Sequence, residues 1–189
     1  MKEHKPFLPS KDVLLEYTLF LDRDGVLNLP IVDDYARKAD DLILVEDIVH
    51  TMSSLAVFFK RIILVTNQQG VGREVMSEID LENVHLKMYN ALKVENQQWF
   101  DVAFFAPYLK TENHTWRKPS NGMLLKAKEY FPDIDFSKAM MIGDSPGDMK
   151  LADTLGLLKV KIENSQFAFD NQDFNFATLA SFVSHLSKD

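Results

Sequence analysis

An apolar stretch that ends at two acidic residues constrains this chain more than any other feature. Residues 19–28 read Leu-Phe-Leu-Asp-Arg-Asp-Gly-Val-Leu-Asn, so Asp22 and Asp24 follow a predicted buried strand where the backbone leaves the sheet. Open α/β sheets bind ligands at the ends of their strands. Two carboxylates at such a position favour a hard divalent cation such as Mg2+.

Strand and helix patterns alternate along the rest of the chain. Short apolar runs predict strands at 17–21, 62–65, 101–105, 139–142 and 157–162, and helical spacing predicts helices at 47–59, 77–94, 122–130, 148–155 and 174–186. This order predicts an α/β, three-layer, Rossmann-like fold with a mainly parallel sheet, because parallel strands need crossovers that cover both faces. We expect an N-terminal arm over residues 1–16 and a single domain over 17–189.

Charge and composition limit the function classes. Lys and Arg number 21 against 28 Asp and Glu, for a net charge of −7, which disfavours nucleic acid as a partner. No cysteine occurs, which excludes disulfides, thiolate zinc sites and a cysteine nucleophile. Without a signal-peptide pattern or an 18-residue apolar span, no membrane association and a cytoplasmic location are the expectations.

Polar residues also follow or adjoin the other predicted strands and helices. They are Thr66 and Asn67 after the second strand, Arg117 and Lys118 before the helix at 122, and Asp144, Ser145 and Asp148 after the fourth strand. Residues that follow parallel strands emerge at one edge of the sheet, so these sites are expected to converge. Together they contain the parts that phosphoryl transfer requires.

The two acids of the first motif suit two different roles. Asp22 can attack phosphorus and form an aspartyl phosphate. Asp24 can protonate the leaving oxygen and then activate the water that hydrolyses the intermediate.

The remaining motifs suit metal and phosphate binding. Asp144 would complete a Mg2+ site with Asp22 and the backbone carbonyl of Asp24, and Asp148 would ligate the ion or orient its ligands. Thr66 and Lys118 would bind the phosphate, and Lys118 would also restrain Asp22.

Each residue has a simpler interpretation as well. An isolated Asp-x-Asp is most often a turn or a helix cap, Thr66 suits a strand by propensity, and Asp148 could complement a helix dipole. Arg117 could pair with a surface carboxylate. The ordered set of four sites favours the functional interpretation.

The motifs resemble those of the haloacid dehalogenase (HAD) superfamily. The strings at 20–28, 65–72 and 117–123 are similar to the branch that contains histidinol-phosphate phosphatases and heptose bisphosphate phosphatases, and the resemblance spans about residues 17–162. It implies a HAD-like fold with Asp22 as nucleophile, Asp24 as acid and base, Thr66 and Lys118 as phosphate ligands, and Asp144 as Mg2+ ligand. It also associates Asn67 and Arg117 with substrate recognition.

The chain departs from that branch in two places. Many members carry a zinc-binding loop before the Arg-Lys-Pro motif, whereas residues 107–116 contain only His114 and no cysteine, so we expect no structural zinc. Ser145, a candidate substrate contact, stands where the heptose enzymes commonly have lysine.

The spacing of the motifs leaves no room for a large cap domain. The loops 29–40 and 107–116 are therefore expected to close the site or contact the substrate. An open site of this kind either accepts bulky substrates or takes its lid from a second subunit, which makes a homo-oligomer one of two expectations.

The sequence thus predicts a Mg2+-dependent phosphatase that acts on a small phosphorylated metabolite, of the sugar phosphate, sugar bisphosphate or histidinol-phosphate type. Two alternatives stay open: a nucleic-acid 3'-phosphatase, and a catalytically silent binding module with the same fold. A phosphotransferase with an acceptor other than water is also compatible with the sequence.

Overall fold

The computed structural model describes residues 7–92 and 99–188, which form a six-stranded sheet between helices. The strands are β1 (Thr18–Leu21), β2 (Arg61–Asn67), β3 (Val102–Ala106), β4 (Ala139–Gly143), β5 (Leu158–Ile162) and β6 (Phe174–Phe176). Their order in the sheet is β3-β2-β1-β4-β5-β6, and every neighbouring pair is parallel. The chain runs outward from β1 to β3 and then crosses to β4 on the other side of β1. The switch point between β1 and β4 is where doubly wound sheets bind ligands.

Helices cover both faces of the sheet. They are α1 (Lys11–Leu14), α2 (Ile48–Leu55), α3 (Gln69–Gly72), α4 (Glu78–Leu92), α5 (Gly122–Tyr130), α6 (Pro146–Asp153) and α7 (Leu179–Leu186). Leu19 and Leu21 of β1 pack in one core with α2, α4 and α7, whereas Phe20 packs in a second core with α5 and α6. This division follows from the two-residue period of a strand. The prediction of a three-layer α/β fold with a mainly parallel sheet is confirmed.

One predicted helix was wrong over its first part. Residues 174–186 were expected to be helical throughout, but Phe174–Phe176 forms β6, and the helix begins at Leu179. Phe174 and Phe176 align with Val160 and Ile162 of β5, so their side chains are spaced for a strand. The Thr178 side chain then accepts a hydrogen bond from the backbone N–H of Ser181 and caps the helix.

Other boundaries differ from the prediction by smaller amounts. Helix α2 ends at Leu55 rather than 59, and α6 begins at Pro146 rather than 148, because Ser145 is its N-cap. The predicted end of α4 near 94 lies outside the described residues, as do residues 1–6 of the predicted arm. Helix α1, within that arm, buries Leu14 in the core. Within the described ranges, no helix combines the length and apolarity needed to cross a membrane.

Candidate active site

Neighbouring strands place the acidic motifs at one edge of the sheet. Leu21 of β1 is level with Ile142 of β4, and the backbone N–H of Asp22 donates to the carbonyl of Ile142 at 3.0 Å. Asp22 and Asp144 therefore leave adjacent strands at nearly the same height. This is the convergence that the parallel sheet predicts.

A buried lysine connects the acidic motifs. The Nζ atom of Lys118 lies 2.8 Å from Oδ1 of Asp22 and 2.6 Å from Oδ1 of Asp148, and it donates to the carbonyl oxygen of Val65 at 3.0 Å. Lys118 and both acids are buried. Burial opposes the charged form of Lys118, but the two carboxylates outweigh it and raise the pKa of the lysine. Lys118 is therefore a fixed positive charge at this edge.

Asn67 holds the backbone of this lysine in place. Its Oδ1 accepts from the Lys118 N–H at 3.0 Å, and its Nδ2 donates to the Lys118 carbonyl at 3.1 Å. The amide group thus ties the end of β2 to the loop that carries Lys118. Substrate binding by Asn67 stays a prediction, whereas sequence reasoning did not anticipate this structural role.

Three buried carboxylates form the centre of the site. Oxygen atoms of Asp22, Asp144 and Asp148 lie within 4.8 Å of one another. Burial raises the pKa of Asp22 to about 7 and that of Asp144 to about 8, and the neighbouring carboxylates add to both effects. Lys118 supplies a single positive charge, so the cluster carries surplus negative charge when all three acids are ionised. Oxygen ligands with such a surplus suit Mg2+, so these residues fit that ion.

Asp148 also begins a helix. Its Oδ2 accepts from the backbone N–H and the hydroxyl of Ser145 at 3.1 and 2.6 Å, which completes a capping box at the start of α6. Its other oxygen faces Lys118. The structural and site interpretations of Asp148 are therefore compatible. Ser145 lines the pocket described below, and the substrate contact predicted for it stays a prediction.

Asp24 lies outside the carboxylate cluster. Its Oδ1 accepts from Arg23 at 2.8 Å and from Asn28 at 3.1 Å, and its Oδ2 accepts from Arg23 at 3.0 Å and from Gln68 at 2.9 Å. Burial alone would raise the pKa of Asp24, but the charge and hydrogen bonds of Arg23 and the two amides lower it. In the absence of substrate, these contacts therefore favour the ionised form of Asp24. Its side chain is not a member of the metal-ligand cluster, and the ligand role of its backbone carbonyl stays a prediction.

Thr66 follows Val65, whose carbonyl oxygen accepts from Lys118. It is buried at the end of β2, and its Oγ1 accepts a hydrogen bond from Nε2 of Gln68 at 2.9 Å. Because the hydroxyl oxygen accepts this bond, its own proton is available for a phosphate oxygen.

A cavity of about 200 Å³ opens above the acids. Its walls come from the predicted loop at 29–40, through residues that include Ile31 and Tyr35, and from the segment after β5, through Asn164, Gln166 and Phe167. Sequence reasoning missed this second segment, although the strand-end rule applies to β5 as well. Asn164 donates to Oδ2 of Asp144 at 2.5 Å and so orients a cluster carboxylate.

The other predicted closing loop lies elsewhere. Within the described chain, residues 107–116 contribute no wall to this cavity. His114 of that loop stacks on Tyr108, with ring centroids 3.4 Å apart. Arg117 donates to the carbonyl of Tyr108 at 3.3 Å and lies beside the cavity, near Tyr35 and Arg73, rather than in its wall.

Several known proteins are similar to this chain in sequence. A model of the polynucleotide kinase 3 phosphatase family matches residues 19–184. The D-glycero-alpha-D-manno-heptose-1,7-bisphosphate 7-phosphatase of Mycobacterium tuberculosis is 31% identical over 137 residues, which make up 72% of each protein. The histidine biosynthesis bifunctional protein HisB of Campylobacter jejuni is 33% identical over 146 residues, which make up 76% of this chain and 40% of HisB.

The fold also matches solved structures. The D,D-heptose 1,7-bisphosphate phosphatase of B. bronchiseptica, solved with magnesium and phosphate, superposes with a TM-score of 0.80 at 24% identity, covering 90% of this chain and 98% of that one. The corresponding enzyme of Burkholderia thailandensis gives a TM-score of 0.63 at 20% identity, covering 91% and 99%. At these identities the match concerns the fold.

Two glycines with positive φ provide a matched test of the carboxylate cluster. A Cβ on Gly25 (φ +75°) would lie 1.7 Å from Oδ2 of Asp144, whereas a Cβ on Gly156 (φ +71°) meets nothing within 4 Å. Both alanine variants should lose about 1–2 kcal/mol of unfolding free energy to the left-handed backbone. In Gly25→Ala alone, Asp144 must also move out of the cluster. We expect added Mg2+ to raise the melting temperature of the wild type and of Gly156→Ala, but not that of Gly25→Ala, in thermal unfolding. Equal Mg2+ shifts in both variants would contradict this account of the site.

Proposed function

The chain belongs to the polynucleotide kinase 3 phosphatase family and to the HAD superfamily of phosphatases, and from that premise we propose that it is a Mg2+-dependent enzyme that hydrolyses a small phosphorylated metabolite. The single observation that supports this most strongly is the Lys118 ammonium between the carboxylates of Asp22 and Asp148, with Asp144 beside them. The proposed nucleophile, a fixed positive charge and an acidic metal site thus lie together at one edge of the sheet.

In the first step, Asp22 attacks the phosphorus atom and the ester bond breaks. An oxygen of Asp22 forms the new bond to phosphorus, and the ester oxygen leaves with a proton from Asp24. Lys118 and the Thr66 hydroxyl stabilise the negative charge of the transferred phosphoryl group. The products of this step are an alcohol and an aspartyl phosphate.

In the second step, Asp24 accepts a proton from water and the water oxygen attacks phosphorus. The bond to Asp22 breaks, inorganic phosphate leaves, and Asp24 is again protonated for the next cycle. The contacts of Asp24 all come from donors, which matches its ionised form between the two steps. For the first step, the negative charge of the bound phosphate must raise the pKa of Asp24 so that it takes up a proton. The net reaction consumes one water per ester.

The acidic cluster supports the choice of Mg2+. We propose Asp22, Asp144 and Asp148 as its ligands or ligand-orienting groups, because their oxygens converge and their charges exceed that of Lys118. When bound, the ion would offset the negative charge of the nucleophile and the phosphate, which otherwise repel each other.

Cavity size and charge favour a small substrate. A volume of about 200 Å³ suits a phosphate and part of a small leaving group. The curated relatives carry names of heptose bisphosphate and histidine-pathway enzymes, which supports a sugar phosphate or an amino-alcohol phosphate.

The family description favours a second candidate, a polynucleotide 3'-phosphatase. The net charge of −7 counts against it, since binding to nucleic acid depends on positive charge.

Phosphate release across a panel of esters tests the function. The panel contains a heptose 1,7-bisphosphate, a heptose monophosphate, histidinol phosphate and a 3'-phosphorylated oligonucleotide, each with Mg2+ and with EDTA. We expect Mg2+-dependent release from a small ester, and a loss of at least about 100-fold in Asp22→Asn because an amide is not a nucleophile for this step. Preference for the oligonucleotide would support the second candidate. No release by folded protein from any ester would favour a silent binding module or a transferase that lacks its acceptor.

Two arginines beside the cavity are candidates for a second anionic group of the substrate. The Arg73 guanidinium lies 5.7 Å from the centre of the Tyr35 ring, which lines the cavity. Burial and the charge of Arg73 lower the pKa of Arg117, although Tyr35 opposes this effect. Among the described residues, neither arginine has a carboxylate oxygen within 4.0 Å. We propose that both contact the distal phosphate of a bisphosphate, which agrees with the substrate recognition expected of Arg117.

This assignment predicts selective losses. In Arg117→Met and Arg73→Met, kcat/KM for a bisphosphate should fall by about 10-fold or more, since a charged hydrogen bond contributes about 1.5–3 kcal/mol. For the corresponding monophosphate, kcat/KM should change by less than about threefold. Lys110→Met, which removes an exposed cation near Gln69, is the matched control and should affect both esters equally. Equal losses on both esters in the arginine variants would contradict the assignment.

Protons and Mg2+ compete for the carboxylates of Asp22 and Asp144, and this competition provides a test of the metal site. The pKa of Asp22 rises to about 7 and that of Asp144 to about 8 in the folded protein, from an ordinary value of 3.8. Without metal, the stability from these two groups is therefore fully present below about pH 4 and is lost as the pH rises through 7 and 8. Because Mg2+ binds the ionised carboxylates, it should stabilise the protein more at pH 8.5 than at pH 6.

Thermal unfolding with and without Mg2+ at the two pH values measures this difference. At Mg2+ concentrations about 100 times the Kd at pH 8.5, the stabilisation should approach about 2.7 kcal/mol. Asp144→Asn should remove most of that gain and, without metal, should be more stable than the wild type at pH 8.5. A Mg2+ shift that is the same at both pH values would show that binding of the ion is not linked to protonation of these two acids.

A further inference from the structure

Arg23 lies between the two catalytic acids in the sequence and is almost completely buried. It is 1% exposed and the largest fully buried side chain among the described residues. A buried guanidinium requires a partner. The partner is Asp24, which accepts from Nη2 of Arg23 through both carboxylate oxygens and from Nε through Oδ1 at 3.3 Å.

Two amides complete the surroundings of this carboxylate. Asn28 donates to Oδ1 and Gln68 donates to Oδ2. Gln68 is itself buried, and the same Nε2 atom also donates to Oγ1 of Thr66. Arg23, Asn28 and Gln68 are here called the carboxylate clamp.

We propose that the carboxylate clamp consists of positioning residues that hold Asp24 at the place where the ester oxygen of the substrate leaves. This inference rests on the proposed function, in which Asp24 donates the proton to that oxygen. Proton transfer needs the two oxygens within hydrogen-bond reach. The Asp24 side chain is 41% exposed, so the cavity alone does not fix its rotamer. The clamp fixes it by binding both oxygens from the protein side.

The clamp also relates the acid to the phosphate site. Through Gln68, the position of Asp24 depends on Thr66, the proposed ligand of the transferred phosphoryl group. The distance between phosphorus and the acid is thereby set in part by Gln68, a buried side chain outside the cavity lining. A misplacement of about 1 Å can cost about 100-fold in rate.

If Arg23 only stabilised the fold, its replacement would lower stability without changing the preference between esters. Its Nη1 is buried and has no hydrogen-bond partner among the described residues, so the side chain is incompletely satisfied. Removing one partner of a buried ion pair is destabilising, because the other charge is left without compensation. The Asp24 side chain is 41% exposed, so the carboxylate left behind in Arg23→Met keeps contact with solvent. Arg23→Met is therefore expected to fold with reduced stability, and Gln68→Met, which removes no charge, serves as a second variant.

Leaving groups of different basicity provide the readout. An alkyl phosphate needs protonation of its leaving oxygen, whereas p-nitrophenyl phosphate releases a stable anion and needs little. The quantity measured is kcat/KM for each ester with Mg2+, because it reports the step in which the leaving group departs. We expect the ratio of alkyl to aryl kcat/KM to fall at least about 10-fold in Arg23→Met and Gln68→Met, and Arg23→Lys to restore part of the ratio.

Two reference variants make the outcomes distinct. Asp24→Asn should show the largest fall in the ratio, and Arg61→Met should leave it unchanged. Arg61 is a second mostly buried arginine, paired with Asp133 at the opposite end of the sheet. If Asp24→Asn lowers both esters equally, the proposed acid role fails. If Asp24→Asn is selective but the clamp variants lower both esters equally or neither, the clamp inference alone is overturned.

Discussion

The site depends on holding three buried carboxylates around one lysine. Such a cluster is unfavourable without opposing charge, because burial and mutual repulsion both penalise the ionised forms. The surrounding structure keeps the groups together. Asn67 fixes the Lys118 backbone, the Val65 carbonyl accepts from its Nζ, and Gly143 leaves space that a Cβ would take from Asp148. Residues around the cluster are therefore needed to position Lys118 and to leave space for Asp148, although they take no part in the chemistry.

Asp22 and Asp24 are separated by a single residue, yet their pKa values shift in opposite directions. Asp22 faces the carboxylate cluster, and burial raises its pKa, whereas Asp24 faces Arg23 and two amides, which lower its pKa. Strict alternation would place residues 22 and 24 on the same side of an extended strand. Strand β1 ends at Leu21, however, and the chain bends at Arg23, so the two carboxylates meet different partners. The proposed roles need an ionised Asp22 and a protonated Asp24, so in the metal-free site both pKa values are shifted against those roles. A bound cation would favour the ionised form of Asp22, and a bound phosphate would favour the protonated form of Asp24.

The sequence predicted the parallel sheet and the convergence of the motifs because both follow from strand order. It could not supply the partners of each side chain, which depend on rotamers and on contacts between distant segments. Asn164 was missed because a lone asparagine after β5 has no motif around it, yet it binds Asp144. Residues 174–176 were predicted as helix because Phe176 also fits the helical spacing of the segment that follows. Pairing with β5, a contact between separate segments, decided the outcome.

In the proposed reaction, Asp22, Thr66 and Lys118 act on the phosphoryl group, which is the same in a sugar phosphate, an amino-alcohol phosphate and a polynucleotide end. These three residues therefore do not distinguish the leaving group. In the proposed reaction, the leaving group would lie near Tyr35 and Phe167 at the cavity wall and near the two arginines beside it. Tyr35 and Phe167 lie on the loops that follow β1 and β5. Specificity must then arise from a few side chains on those loops, and a small number of substitutions there could redirect the same chemistry to another ester.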